Sequence, residues 1–481
     1  MSDSLSKKMK NATKWSVITE MAAKLVTPIV SMVLARLLTP DAFGVVATLT
    51  MVITFAELFT DAGFQKYLIQ HEFKDEVDRE QSTTVAFWSN LAMSLFFWMI
   101  IAIFNKPIAA MVGSPGLGHV LVISCLAIPL EAFSSIQMAL FRRDFDYKTL
   151  FRVRMVSTCI PLIVTIPLSF WLRSYWALVI GTLTVNVVNA VLLTAYSSWK
   201  PRLFYSFDKL KEMLSFSIWS MFEAITIWLT NYVDVFIVGA VLSQYYLGLY
   251  RTSSAIVGHI MGLITSITTP ILFSALSRLQ NDEKEFQRLF FRFQKIVGLL
   301  VIPMGVGIFL FKDVVTEIML GSQWGEAAGF VGLWGLTSAI TIVLSYYCSE
   351  IYRSKGKPKL SVLAQVLHIV ALWPTILIAV KYGFETLYIA RSLVRLELVV
   401  VNLCIVGIAI KLPVARMFTN VLPSCIAATS MLLVLLLPSA GNFWVNIGYA
   451  VIGAIIYFAV IMLFPEDRKL LLNLPKQIRE R

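Results

Sequence analysis

Charge is scarce in this chain: Asp, Glu, Lys and Arg make up 15% of its 481 residues, where soluble domains carry roughly a quarter. That scarcity excludes an ordinary water-soluble fold. Histidine is nearly missing. His71, His119, His259 and His368 stand at no metal-ligand spacing, so no zinc-type motif is present. The five cysteines cannot all pair, none sits in a CxxC, and all fall in apolar stretches. They read as small buried thiols and not as a disulfide framework. No GxxxxGK[ST] stretch occurs, which excludes direct drive by ATP through a P-loop. Long polar loops are missing too. The longest, 66–81 and 275–288, hold about fifteen residues each, too few for a catalytic domain.

What is present is apolar. Hydrophobic residues form 58% of the chain and the mean hydropathy is +0.76. A membrane span needs roughly 20 such residues at about 1.5 Å of rise each. Fourteen segments qualify: 15–38, 42–65, 82–104, 117–141, 149–172, 176–198, 214–240, 246–274, 289–311, 325–352, 360–380, 385–410, 418–438 and 442–464. Their apolar runs are continuous, not alternating, which excludes a β-barrel. The expected fold class is an all-α polytopic membrane protein. Its N-terminus, MSDSLSKKMKNATKW, is polar and basic, without the apolar run and small-residue site of a cleaved signal peptide.

The net charge of +12 suggests nucleic acid until it is placed along the chain. With the N-terminus inside, 32 of the 41 Lys and Arg fall on the inner side, and the outer loops hold only Lys106, Arg173, Lys312 and Lys381. This is the positive-inside pattern of a membrane protein with both termini cytoplasmic, and it supports an even number of spans.

The chain also repeats itself. VLARLLTPDAFGVVA (33–47) returns 204 positions later as IVGAVLSQYYLGLYR (237–251), aligning Leu38 with Leu242 and Gly44 with Gly248. Gly113-Ser114 returns as Gly321-Ser322, and Phe141-Arg142 as Tyr352-Arg353. Repeated membrane lobes commonly enclose a transport path. The expected organisation is an N-lobe of spans 1–6 (1–199), a cytoplasmic interfacial linker helix (200–213), a C-lobe of spans 7–12 (214–411), and spans 13 and 14 with a basic tail (412–481). In the linker, Pro201 ends span 6, Ser206 is an N-cap candidate, and Phe207, Leu210 and Leu214 share one face.

Charge inside a span costs roughly 2.5–3.5 kcal/mol on insertion scales, so buried charges are the functional candidates. Three pairs lie four residues apart, on one helical face: Glu20/Lys24, Glu57/Asp61 and Arg391/Arg395. The first reads equally as a self-neutralising intrahelical pair or as charges facing a watery cavity. Glu223 and Asp234 lie three turns apart on span 7, Glu131 sits in span 4, and Arg36 and Arg251 flank the repeated turns. Arg36 and Arg251 serve equally as interfacial anchors or ligand contacts; Arg391 lies near enough to a span end to snorkel. Arginine suits diphosphate because its planar fork makes bidentate contacts while staying charged. The carboxylates suit sugar hydroxyls, or a coupling H⁺ or Na⁺ with Glu57 and Asp234 foremost; the residues alone do not separate these roles. Trp219, Trp228, Tyr232, Tyr346 and Tyr347 can stack on sugar rings or simply pack.

NATKWS (11–16), VLARLLTPDAFG (33–44), DAGFQKYLIQ (61–70), FRRDFDYKTL (141–150) and KPRLFYSF (200–207) resemble the polysaccharide transporter branch of the multidrug/oligosaccharidyl-lipid/polysaccharide exporter superfamily. The resemblance covers residues 10–410. It implies two six-helix bundles in a V, related by a parallel repeat, with a central cationic cavity working by alternating access across the bacterial inner membrane. The implied substrate is an undecaprenyl-diphosphate-linked oligosaccharide, flipped toward the periplasm for exopolysaccharide or lipopolysaccharide synthesis. Polymerase and export proteins are the implied partners of a monomeric transporter, which needs no cofactor and no catalytic residue. The family's cavity charges come from spans 1, 2, 7 and 8, which here supply Arg36, Glu57, Asp234 and Arg251. A cation-coupled drug or metabolite antiporter of the same fold is the first alternative. A membrane glycosyltransferase or polymerase is the second, opposed by the short loops.

Overall fold

With no water in the bilayer core to satisfy backbone groups, long apolar segments close their hydrogen bonds internally as helices. The computed structural model of the protein describes residues 2–61, 63–438 and 443–471; the side chains of 2–14, 16, 17, 20, 61 and 215–223 are not among those described. Glu20, Asp61, Trp219 and Glu223 therefore lie outside the described side chains.

The long helices are α1 (Ser2–Leu37), α2 (Pro40–Asp61), α3 (Glu76–Ile103), α4 (Gly118–Arg143), α5 (Tyr147–Leu172), α6 (Trp176–Tyr196), α7 (Phe207–Val241) and α8 (Gln244–Arg278). They continue as α9 (Glu283–Leu310), α10 (Ser322–Ser354), α11 (Lys359–Tyr382), α12 (Phe384–Ile410), α13 (Val414–Leu436) and α14 (Phe443–Ile461). Among the described residues, α2 to α14 supply 13 stretches long and apolar enough to cross a membrane. Each matches an expected span, and α1 covers the remaining one. The chain is a multi-pass, all-helical membrane protein.

The repeat is visible in local chemistry. Helices α3 and α9 are both 28 residues long, and each is N-capped by an aspartate, Asp75 or Asp282, whose side chain accepts from the third amide onward. This is the cap that an exposed helix start requires. A short helix follows each, Asn105–Met111 and Lys312–Met319, and then a left-handed glycine, Gly113 or Gly321. The ends of α4 and α10 share a cap with a left-handed residue, Phe145 in one and Gly356 in the other. The amide after it returns to the carbonyl of Phe141 (2.9 Å) or Tyr352 (2.8 Å). The repeat spacing is thus 208 residues at the glycine ahead of α4 and 211 across the α4–α5 turn. Helices α6 and α12 begin 208 residues apart.

By contacts, residues 1–251 and 252–481 form two compact units. In the first, α2 packs on α7 and α3. The two repeated turns meet here through their glycines. A Cβ on Gly44 would stand 1.8 Å from the Gln244 carbonyl oxygen, and one on Gly248 would stand 1.9 Å from that of Pro40. Residues 40 and 244 are themselves equivalent in the repeat, so one contact is made twice. The Thr48 hydroxyl donates to Gln244 Oε1 (3.2 Å), and the Gln244 amide donates to Ser114 Oγ (2.5 Å).

The linker differs from its expectation. Residues 207–214 are not a separate interfacial helix but the first turns of α7, which runs unbroken to Val241. Leu210 and the buried Met213 pack into a core with Phe64, Tyr67 and Phe87, while Phe207 and Leu214 are exposed. The strap ahead of α7 is tied to α3. The Trp88 indole donates to the Arg202 carbonyl (2.7 Å), Ser89 and Tyr205 share a hydrogen bond (3.0 Å), and Arg202 pairs with Glu80 (2.9 Å). Lys209 pairs with Asp78, and the Tyr67 hydroxyl donates to Glu212 (3.0 Å). Burial, reinforced by the Glu212 carboxylate, raises the Tyr67 phenol above its ordinary range.

Candidate functional site

In the first unit, the candidate charges sit on α1, α2, α4, α7 and α8. Asp234 is buried at 6% exposure, where an uncompensated carboxylate is costly. It accepts a hydrogen bond from the Tyr250 hydroxyl (2.7 Å) and one from the Val235 amide (2.8 Å). The next residue after Tyr250, the half-buried Arg251, lays its guanidinium 5.1 Å over the Tyr232 ring, a favourable cation–π geometry. Tyr232 stacks on Trp228 (5.6 Å), Trp228 lies against Phe55 (4.9 Å), and its indole donates to Thr54 (3.1 Å). The structure thus joins Arg251, Tyr232 and Trp228 into one aromatic, charged patch on α2, α7 and α8, while Asp234 is buried against Tyr250. Glu57 is half-buried one turn from Thr54, whereas Arg36 and Glu131 are exposed.

In the second unit, α10 and α12 form the counterpart. The Arg395 guanidinium lies 3.9 Å over the Trp334 ring and donates to the Ser338 hydroxyl (2.8 Å); Arg391 lies 5.0 Å over the same ring. Two cations therefore share one indole. Arg395, Ser338 and Trp334 all lie well inside their helices, and Arg395 is half-buried there. One heptad further on, the Asn402 amide donates to Ser345 (2.9 Å), and the Tyr352 hydroxyl donates to the Asn402 side-chain oxygen (2.9 Å). Both rungs join residues 57 apart, so α10 and α12 run in the same direction. The Ser345 rung has its equivalent in the first unit, where the Gln137 amide donates to Thr194 (3.2 Å), also 57 apart.

Glu397 faces away from the arginines, toward α11. Its carboxylate lies 3.0 Å from Nδ1 of His368, which is buried at 5% exposure. The two tyrosines proposed for sugar stacking divide: Tyr346 is exposed, while the buried Tyr347 shares a 2.6 Å hydrogen bond with Thr268.

Reading spacing within single spans misses Trp334, Ser338 and His368, because their partners lie on other helices. The repeat offers the signal that finds them. Positions 208 before Trp334, Ser338, Arg391, Arg395 and Glu397 hold Leu126, Leu130, Leu183, Val187 and Asn189, and the position 211 before His368 holds Ser157. The polar contact itself persists, since Ser157 hydrogen-bonds Asn189. Only the second unit has charged it.

The polysaccharide biosynthesis protein family matches residues 33–329. The succinoglycan biosynthesis transport protein ExoT of Rhizobium meliloti is 25% identical over 68% of this chain and 65% of its own length. The lipopolysaccharide biosynthesis protein WzxC of Escherichia coli is 20% identical over 67% of this chain and 65% of its own. The chain thus spans just under two thirds of each of these relatives. Among solved structures, the lipid II flippase MurJ in an inward closed conformation superposes with a TM-score of 0.74 at 14% identity, covering 95% of this chain and 99% of that one. An inward-facing multidrug resistance MATE transporter gives 0.60 at 12% identity, over 85% and 99%. These two likenesses establish the fold.

Proposed function

The chain belongs to the polysaccharide biosynthesis protein family, and from that premise we propose that it is a transporter for a lipid-linked oligosaccharide diphosphate. The cargo is an undecaprenyl-diphosphate-linked repeat unit, moved from the cytoplasmic to the periplasmic leaflet of the bacterial inner membrane by alternating access. The observation that carries this reading is the pair Arg391 and Arg395 stacked on Trp334, with Arg395 also held by Ser338. A guanidinium placed mid-span is costly to insert and is therefore a candidate for anion binding. Its planar donors match a diphosphate, and the indole keeps it oriented while no anion is bound. The patch of Arg251, Trp228 and Tyr232 offers the sugar flat faces for its rings beside a charged donor. The chemistry asked of the protein is binding and release; no bond in the cargo is broken.

Deletion of the gene followed by lipid analysis tests this. Accumulation of a lipid-linked oligosaccharide in the cytoplasmic leaflet is expected. Unchanged lipid intermediates together with altered drug tolerance would instead establish the cation-coupled antiporter. Arg395→Ala is expected to abolish export at normal protein levels, and full export in that variant removes Arg395 from the site.

A further inference from the structure

The two units make the same interhelical contact with different chemistry. Between α5 and α6 it is Ser157 with Asn189, and neither member ionises. Between α11 and α12 it is His368 with Glu397 at 3.0 Å, and both members ionise. An ionisable pair of a buried His368 and a half-buried Glu397 is structurally more expensive than the neutral pair at the equivalent place, so stability does not account for the difference. The same junction acquired Arg391 and Arg395 where the first unit has Leu183 and Val187. Both arginines lie within electrostatic reach of the imidazole.

We propose that His368 and Glu397 form a proton-binding site that sets the anion affinity of the arginine face on α12. One proton binds the imidazole and converts a neutral histidine beside a carboxylate into an imidazolium–carboxylate pair. Histidine is the side chain whose charge changes between pH 5 and 8 under ordinary conditions. The protonated imidazole adds one positive charge to a junction that holds the Arg391 and Arg395 guanidiniums and the Glu397 carboxylate. A diphosphate then meets a stronger field, and loss of the proton weakens it. The cycle balances: the proton enters as the anion is taken up and leaves as it is released.

Among the described residues, the charged groups around His368 come from three helices. Helix α12 brings Arg391, Arg395 and Glu397. The end of α10, which also packs on α11, brings Glu350 and Arg353, already paired with each other at 3.4 Å. Helix α11 itself carries only Lys359 and Lys381, at its two ends. Glu397 is thus the acid in direct contact, and the arginines are what its proton state adjusts.

The link to a diphosphate cargo rests on the transport reading above; the proton site does not. The test uses the full chain in lipid nanodiscs, with ¹⁵N-labelled histidine read by NMR from pH 5 to 9. His368→Gln identifies the resonance. His368 is expected to titrate within that range, and Glu397→Gln to lower its midpoint by about one pH unit or more. A His368 that holds one protonation state throughout overturns the proposal. On the same sample, a dimethyl diphosphate with one methyl on each phosphate, whose two negative charges do not change across this pH range, is expected to bind about tenfold more tightly at the acid end. That dependence should vanish in His368→Gln, and binding itself should be lost in Arg395→Ala. Diphosphate-diester binding that ignores pH, or fails at every pH, overturns the linkage. Lipid flipping that proceeds while His368 does not titrate defeats this inference alone. Titration and linkage without flipping defeat the transport reading alone.

Discussion

Adding one methyl group at Gly44 places a carbon 1.8 Å from the Gln244 carbonyl oxygen, and the same change at Gly248 places one 1.9 Å from the Pro40 oxygen. Both partners are backbone atoms of helix starts and cannot swing aside as a side chain would. Ordinary contact requires the turns to part by more than 1 Å. Overpacking of this kind costs about 1–3 kcal/mol. For units of this size that lowers the unfolding midpoint by about 2–4 °C per kcal/mol. One separation relieves both clashes, because each glycine faces the other's turn. The double variant Gly44→Ala/Gly248→Ala is therefore expected to cost clearly less than the sum of the single variants. Gly258→Ala on α8 supplies the control. Nothing lies within 4 Å of its added carbon, so it should be neutral or stabilise by about 0.5–1 kcal/mol. Thermal unfolding of purified protein in detergent measures all four. Additive losses, or a loss at Gly258 equal to that at Gly44, would refute the shared-contact argument.

Two further substitutions test the frame of the first unit. Tyr250→Phe strips the buried Asp234 of its hydroxyl donor and should lower stability by about 1–3 kcal/mol, read as a fall in unfolding temperature; an unchanged midpoint would show that Asp234 draws nothing from Tyr250. Arg143 donates to the carbonyls of Leu68 (2.7 Å), Ile69 (3.3 Å) and His71 (2.8 Å). Arg143→Met should release the segment 64–74 to limited proteolysis, by about 2 kcal/mol of lost protection, and wild-type cleavage rates would contradict that role.

The spans and the repeat were legible because hydropathy and turn glycines are local properties. The linker misled for a local reason as well. Pro201 and Ser206 mark a real break and a real helix start, yet no residue between Phe207 and Val241 stops that helix. The amphipathic turn was read as facing a membrane surface, whereas Leu210 and Met213 face a protein core. Among the charges, the different faces of Arg395 and Glu397 follow from helical geometry alone, and the structure gives each a partner on a different neighbouring helix. Which neighbours these are was illegible in either span alone. His368 lies 29 residues before Glu397, a separation that carries no periodic signature. It becomes readable only when one half of the chain is compared with the other.

The contact of residue 44 with 244, and of residue 248 with 40, is what a two-fold axis produces between identical subunits. A chain of half this length, bearing one such turn, would have met a second copy of itself through the same contact made twice. In that ancestor a single change at the glycine would have struck both sides of the interface at once. Within one chain the two sides are free to differ, and the arginines, His368 and Glu397 of the second unit are charges that a self-paired half could not carry on one side only.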